Sequence, residues 1–272
     1  KLSVQGQLIS ELTLGARNVG FVFQDFALFP HMTVAENMAF AGEARGLDKS
    51  LTAERVAELA RSLGLDAILN RKASVLSGGE QQRVALGRAL VTKPTMICLD
   101  EPFSALDERL RDDARGVVKA LAAQYHVPFL LVTHDLRDVR ALAREVLLLD
   151  QGRVVASGAV DQILNRPGSL QAAKLIPENQ IVEAELLPAV WRKKFFGAKQ
   201  LVFKPWSFEV AKSPSEASAA VLIEKITDEG FGQTCQAKLG DGLNLRVLVV
   251  GESLKAGDKV NLVLRENFCF AL

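Results

Sequence analysis

Met96-Ile-Cys-Leu-Asp-Glu101 constrains this chain more than any other stretch. Four apolar residues without polar alternation read as a buried strand, the kind found in a parallel sheet covered by helices. Two carboxylates follow at once, and ligands of open α/β sheets gather at the C-terminal ends of strands. Asp100 is therefore placed to hold a hydrated Mg²⁺ ion, and Glu101 to orient or deprotonate an attacking water. By itself the same string also describes a strand that ends in a solvated acidic turn.

Further strands are expected at 18–24, 95–99, 128–133 and 145–150, with helical patterns between them, so residues 1–176 read as an α/β domain. Thr33-Val-Ala-Glu36 is a capping box that opens one helix. Val56, Leu59, Ala60 and Leu63 recur at helical spacing, as do Leu110, Ala114, Val117, Val118 and Leu121. Gln151-Gly152 turns the strand at 145–150 into a hairpin with residues 153–156. Past Pro177 the helical period fades and short β segments follow at 181–187, 200–203, 219–226, 234–239, 244–250 and 259–264. Glycine turns at 240–242 and 256–258 separate some of them. Residues 177–272 thus read as a small all-β barrel of the oligonucleotide/oligosaccharide-binding kind, with 165–177 as the junction.

The balance of 33 basic against 32 acidic side chains excludes a strongly basic nucleic-acid binder as a description of the whole chain. An apolar run as short as 127–132 excludes a membrane-spanning helix of about 20 residues. Cysteines at 98, 235 and 269 have neither metal-ligand nor paired spacing and fit a reducing compartment. No secretory signal is read at the N-terminus.

Leu76-Ser-Gly-Gly-Glu-Gln-Gln-Arg83 opens a helix that runs to about Leu90. Its two glycines let a phosphate approach the backbone, the helix N-terminus offers free N–H groups, and Ser77 adds a hydroxyl. A plain N-cap would explain Ser-Gly-Gly but not the whole string. Residues 76–82 resemble, letter for letter, the signature motif of ATP-binding cassette (ABC) transporter ATPases. Val22-Phe-Gln24 is similar to the Q-loop, 96–101 to Walker B, Ser104-Ala-Leu-Asp107 to the D-loop and Thr133-His-Asp135 to the H-loop. The gaps of 53 residues from Gln24 to Ser77, 23 to Asp100 and 34 to His134 resemble those of the importer branch.

The resemblance implies a P-loop-type ABC ATPase fold and two such domains, in a head-to-tail homodimer, with ATP between them. Ser77, Gly78 and Gly79, with Glu80 and Gln81 beside them, would contact nucleotide held mainly by the partner. Asp100 and Gln24 would serve Mg²⁺, with Gln24 also reaching the attacking water. Glu101 would be the catalytic carboxylate, His134 would contact the γ-phosphate, and Asp107 would couple the two sites. Composition reads Phe26, Leu28, Phe29 and Met32, in the loop from Gln24 to Met32, equally as a locally buried loop; the resemblance implies that they help form a groove for a short helix of an integral-membrane permease subunit. A solute-binding protein would act indirectly, and the subunit would lie at the cytoplasmic face of the inner membrane. The barrel is similar to the C-terminal TOBE-like domain of importers for oxyanions, ferric iron, polyamines and sugars, through Lys204-Pro-Trp-Ser and 254–260. Trp206 stands where many members have an acidic residue. Regulation or dimerisation is the expected role of that domain. Stacking of single-stranded nucleic acid on Trp191, Phe195, Phe196 or Trp206 is the less favoured reading, and no nucleic-acid partner is expected. An ABC ATPase of DNA repair is disfavoured by the short span from Gln24 to Ser77 and the lack of heptads within it.

No Gly-x-x-x-x-Gly-Lys-Ser/Thr string, the Walker A loop that cradles phosphates, occurs in the 272 residues, and the chain opens on Lys1. Residues 1–20 look like the strand pair that follows the Walker A helix. Two readings stay open: a fragment of a longer importer ATPase, or a non-catalytic subunit or regulator. The chain by itself is expected to be inactive. The expected cargo is an inorganic ion (molybdate, sulfate or ferric iron) or a polyamine.

Overall fold

The apolar run at 96–99 forms the centre of a three-stranded parallel sheet. The computed structural model describes residues 3–4, 6–13, 15–229, 232–240, 242–265 and 269–271. Packing divides the chain into Lys1–Ala143 and Arg144–Leu272, so the compositional change at 176/177 lies inside the second unit.

In the first unit, β1 (Ser3–Val4) and β2 (Gln7–Leu8) pair antiparallel ahead of β3 (Val19–Val22). Then come α1 (Val34–Ala44), α2 (Lys49–Leu63), α3 (Gly78–Leu90), β4 (Met96–Asp100), α4 (Glu108–Tyr125), β5 (Phe129–Val132) and α5 (Leu136–Leu142). The sheet order is β3-β4-β5, with Val22 beside Leu99 and Leu99 beside Leu131. On one face Val22, Ile97 and Leu99 join a core with Met38, Leu63, Val84, Leu86, Val118 and Leu121 from the helices. Gly87 lets α1 and α3 close up, since a Cβ there would sit 2.6 Å from the Met38 methyl. The other face differs from the expectation of a strand buried on both sides. Phe21 and Leu130 flank the half-buried Cys98 across that face and are 51% and 53% exposed.

The capping box forms as its spacing requires: Glu36 N donates to Thr33 Oγ1, and Thr33 N donates to Glu36 Oε2. α2 ends on Gly64 in the left-handed region, the usual glycine C-terminus.

In the second unit, β6 (Glu145–Asp150) and β7 (Arg153–Ala159) form a hairpin. Gln151 and Gly152 both have positive φ, as a type I′ turn demands. Next come α6 (Val160–Asn165), α7 (Leu170–Lys174), β8 (Gln180–Glu183), α8 (Ala189–Arg192) and β9 (Gln200–Phe203). The remaining strands are β10 (Phe208–Ala211), β11 (Ser218–Asp228), β12 (Gln233–Leu239), β13 (Leu243–Val249), β14 (Lys259–Leu264) and β15 (Cys269–Ala271). One antiparallel sheet has the order β10-β14-β11-β12-β13, a second the order β15-β9-β8. The edge strands β10 and β13 approach within 8 Å, so the larger sheet curls in a barrel-like way. Within the expected 240–242 turn, Asp241 lies outside the described residues.

Trp191 on α8 is fully buried, 5.4 Å from the Phe208 ring, and its Nε1–H donates to Ala217 O. Its indole is committed to the barrel core and cannot serve as a platform for bases. Phe196 is fully exposed. Cys98 and Cys235 are thiols, and the Cys269 thiol donates to Arg265 O at 3.8 Å.

Candidate functional site

Every residue singled out for chemistry lies in the first unit. β4 delivers Asp100 and Glu101 to the C-terminal edge of the sheet, where parallel strands place their ligands. Phe23, Gln24, Asp25, Asp100, Ser104 and Ala105 line one shallow depression there. The structure thus brings Gln24 and Asp100 to one depression, the two residues that the family resemblance assigns to Mg²⁺.

Glu101 is held in the left-handed region at φ +45°, a conformation that side chains other than glycine seldom adopt. Its backbone explains why it stays there: its N–H donates to Val132 O, and Ser104 donates to Glu101 O through both N–H and Oγ. Strain of this kind concentrates at functional sites. The turn aims the carboxylate at the end of the neighbouring strand, where His134 follows β5. His134 Nδ1 lies 2.7 Å from Glu101 Oε1, and the His134 backbone N–H donates to the same oxygen at 3.1 Å. The imidazole is 83% exposed, and among the described residues the Glu101 carboxylate is the group that holds its ring. The hydrogen bond to Glu101, reinforced by its charge, raises the His134 pKa above the ordinary imidazole value.

Ser77 N-caps α3. Its hydroxyl accepts from Glu80 N and donates to Glu80 Oε2, while Ser77 N–H donates to that same oxygen at 2.7 Å. The backbone hydrogen bond from Ser77 leads the causes that lower the Glu80 pKa. Gln81 Nε2 donates to Leu76 O. A Cβ on Gly78 would stand 3.1 Å from Leu106, so the first signature glycine packs against the D-loop, whereas Gly79 has more room. Among the described residues, Ser77 to Gln81 do not line the depression that holds Gln24 and Asp100. Asp107 N-caps α4, its carboxylate accepting from Leu110 N.

The loop from Gln24 to Met32 is anchored from beneath. Asn37, fully buried, exchanges hydrogen bonds with both backbone groups of Phe29, and Arg88 donates to the carbonyls of Phe26 and Ala27. Phe26 is a core residue and cannot line an open groove, a correction to the expectation for it. Phe29 instead packs 4.5 Å from Phe40, which is 40% exposed.

Sequence reasoning did not single out Arg115 or Asp138, which together with Thr133 of the H-loop motif brace the histidine turn. Arg115 Nε donates to Asp138 Oδ1 at 2.7 Å, and Thr133 Oγ1 donates to Asp138 Oδ2 at 2.9 Å. Arg115 and Asp138 are buried. Burial opposes the Arg115 charge, but the hydrogen bonds it donates to Asp138 and Asp112 outweigh it and raise its pKa. A basic residue spaced four from Arg111 on one helix face was the available signal. Nothing in the sequence ties it to an aspartate beyond the next strand.

Among the described residues no cluster of three metal-binding side chains occurs. Asp100 and Gln24 offer one carboxylate and one amide oxygen on the same depression. Mg²⁺ is commonly held by one or two carboxylates together with substrate phosphates and waters, so this donor set fits it. No described helix is long and apolar enough to cross a membrane.

The ABC transporter family model matches residues 1–104. The sulfate/thiosulfate import ATP-binding protein CysA of a Synechocystis strain is 33% identical over 286 aligned positions, covering all of this chain and 79% of that protein. Spermidine/putrescine import ATP-binding protein PotA 1 of Pseudomonas aeruginosa is 43% identical, covering 63% of this chain and 47% of its own length. The sn-glycerol-3-phosphate import ATP-binding protein UgpC of Paraburkholderia xenovorans is 40% identical, covering 64% and 48%. The chain therefore spans about half the length of the last two. With the carboxylate–histidine pair, the capped signature helix and a CysA relative aligned along the whole chain, the protein belongs to the ABC transporter family, among its import ATP-binding proteins.

Proposed function

We propose that this chain supplies the catalytic carboxylate and histidine for ATP hydrolysis by an ABC importer, with Glu101 and His134 at the reacting centre. The observation that carries the reading is the hydrogen-bonded pair at the end of β4 and β5, with Glu101 in a strained backbone conformation. Both contacts from His134 fall on Oε1, so Oε2 is left to receive a proton. A water then attacks the γ-phosphorus, its proton passes to Glu101, and the bond to the ADP oxygen breaks. The carboxylate of Glu101 favours the doubly protonated imidazole, which would point one N–H at Glu101 and offer the other to a γ-phosphate oxygen. Asp100 and Gln24 would hold Mg²⁺, which neutralises phosphate charge when bound. Gln24 also positions the water.

Ser77, Gly78 and Gly79 at the α3 N-terminus suit a phosphate supplied from a second copy in a head-to-tail homodimer, with Glu80 and Gln81 shaping that turn. Asp107 lies next to Leu106, which touches Gly78, and so suits a role between the two sites. Phe29 and Phe40 offer a partly exposed aromatic surface beside Gln24 for a permease subunit. The chain itself would sit peripherally on the cytoplasmic face of the inner membrane and meet a solute-binding protein only indirectly. For the second unit we favour a TOBE-like accessory role. An inorganic oxyanion is the favoured cargo, because the relative aligned along the whole chain is named for sulfate and thiosulfate. The test is Mg-ATP hydrolysis by the protein purified from its own gene, with sulfate uptake measured in a deletion strain. Hydrolysis lost in His134→Ala and uptake lost with the gene support the reading. Hydrolysis unaffected by His134→Ala contradicts it.

A further inference from the structure

The exposed imidazole of His134 needs its backbone held still if it is to remain on Glu101, and the turn that carries it has little apolar packing of its own. The support is polar and comes from α4. Arg115 is only 7% exposed, and its fork reaches three carboxylates at once. Nε donates to Asp138 Oδ1, with Nη2 also 2.7 Å from that oxygen. Nη1 donates to Asp112 Oδ1 at 2.7 Å, and Nη2 lies 3.7 Å from Asp135 Oδ2. The Phe103 ring, from the turn after Glu101, covers the guanidinium at 6.0 Å.

From Asp138 the chain of contacts runs back to the histidine. The second oxygen of Asp138 accepts from Thr133 Oγ1, and that hydroxyl accepts from Asp135 N at 3.0 Å. His134 is the residue between those two. Asp135 in turn N-caps α5, binds Arg137 through both oxygens, and lies 3.8 Å from Arg111 Nη1. Arg111 Nε donates to Leu106 O in the D-loop, and Arg137 also reaches Glu108 in the first turn of α4. Both sides of His134 are therefore tied to α4, with Arg115 as the buried member of the set.

We propose that Arg115 is a positioning residue for hydrolysis: through Asp138 and Asp135 it fixes the Thr133-His-Asp135 turn and so keeps His134 on Glu101. The proposal deepens the functional reading above and rests on it. An arginine is required because a single planar fork satisfies several carboxylates, whereas a lysine ammonium is a point charge that meets one geometry at a time. Removing the fork leaves Asp138 buried with an unmet charge, and the turn relaxes toward solvent.

The test uses the full chain with Arg115→Lys, read by the His134 Cε1–H resonance at a fixed pH and by amide exchange of residues 133–139. Only His31 and His126 add imidazole signals, so His134→Gln assigns the resonance. We expect Arg115→Lys to shift the His134 signal toward its position in Glu101→Gln. Exchange at 133–139 should speed about tenfold or more, while α3 amides keep wild-type protection. In the protein purified from its own gene, kcat should fall about tenfold or more with KM for ATP unchanged. An unchanged His134 signal and unchanged exchange at 133–139, with only a lower melting temperature, would overturn the proposal and leave Arg115 a packing residue. If Arg115→Lys also loses α3 protection, the near-isosteric Asp138→Asn is read in the same way, and no change at His134 there overturns it. Should Glu101→Gln leave hydrolysis intact, the functional reading falls, while the resonance and exchange still decide whether Arg115 holds the turn.

Discussion

At the start of α3, Ser77 and Glu80 satisfy each other across three residues, whereas the turn at 133–138 depends on Arg115 from a separate helix. Both turns carry residues proposed to meet phosphate. In the first, every hydrogen bond of the capping box is local, so the helix N-terminus is shaped before any tertiary contact forms. In the second, the buried carboxylate of Asp138 is compensated only once α4 and α5 pack, so the geometry of His134 belongs to the fold of the whole unit. The difference teaches that the signature turn can behave as a preset element. The histidine turn, by contrast, responds to what happens along α4 and the D-loop beside it.

Breaking the long-range side has the larger expected effect. Arg115→Met removes the partner of a buried carboxylate and should cost about 3 kcal/mol, measured by urea unfolding. A loss near zero would mean that Asp138 is solvated or paired elsewhere. On the local side, Ser77→Ala deletes the hydroxyl of the cap and should cost about 1 kcal/mol in the same assay. The two losses should add when combined, because among the described residues Ser77 and Arg115 share no hydrogen-bond partner; a marked deviation would tie the turns together through Leu106, which meets Gly78 and accepts from Arg111.

The smallest effect is in pH dependence. The folded pKa of His134 is raised by Glu101, so the pair contributes fully below the unfolded imidazole value of about 6.5. That contribution fades as pH rises through the folded value. An NMR titration should place the His134 midpoint above about 6.5 in the wild type and return it to the ordinary value in Glu101→Gln. A wild-type midpoint at or below the ordinary value would remove the pair from the description of the site.

Local chemistry was legible in the sequence, and non-local chemistry was not. Residues Glu145–Asp150, Gln200–Phe203 and Lys259–Leu264 fall at their expected bounds because their turns are encoded by neighbouring residues. The strands Phe208–Ala211 and Cys269–Ala271 were not foreseen, since short strands carry little period of their own and owe their form to their partners. For Phe26, composition left a locally buried loop and an open groove equally admissible, and the burial comes from Asn37 and Arg88, which tie its loop to the core. At the site, Asp100 and Glu101 were recognisable from their strand-end position, and His134 only through the resemblance of Thr133-His-Asp135 and its companion motifs. The clamp of Arg115 on Asp138 spans a helix and a strand, so no local pattern announces it.

The central claim is that Glu101 performs the chemistry, and Glu101→Gln tests it most directly. In the protein purified from its own gene, ATP turnover should fall about a hundredfold or more while Mg-ATP binding is retained. Undiminished turnover in Glu101→Gln would contradict the account.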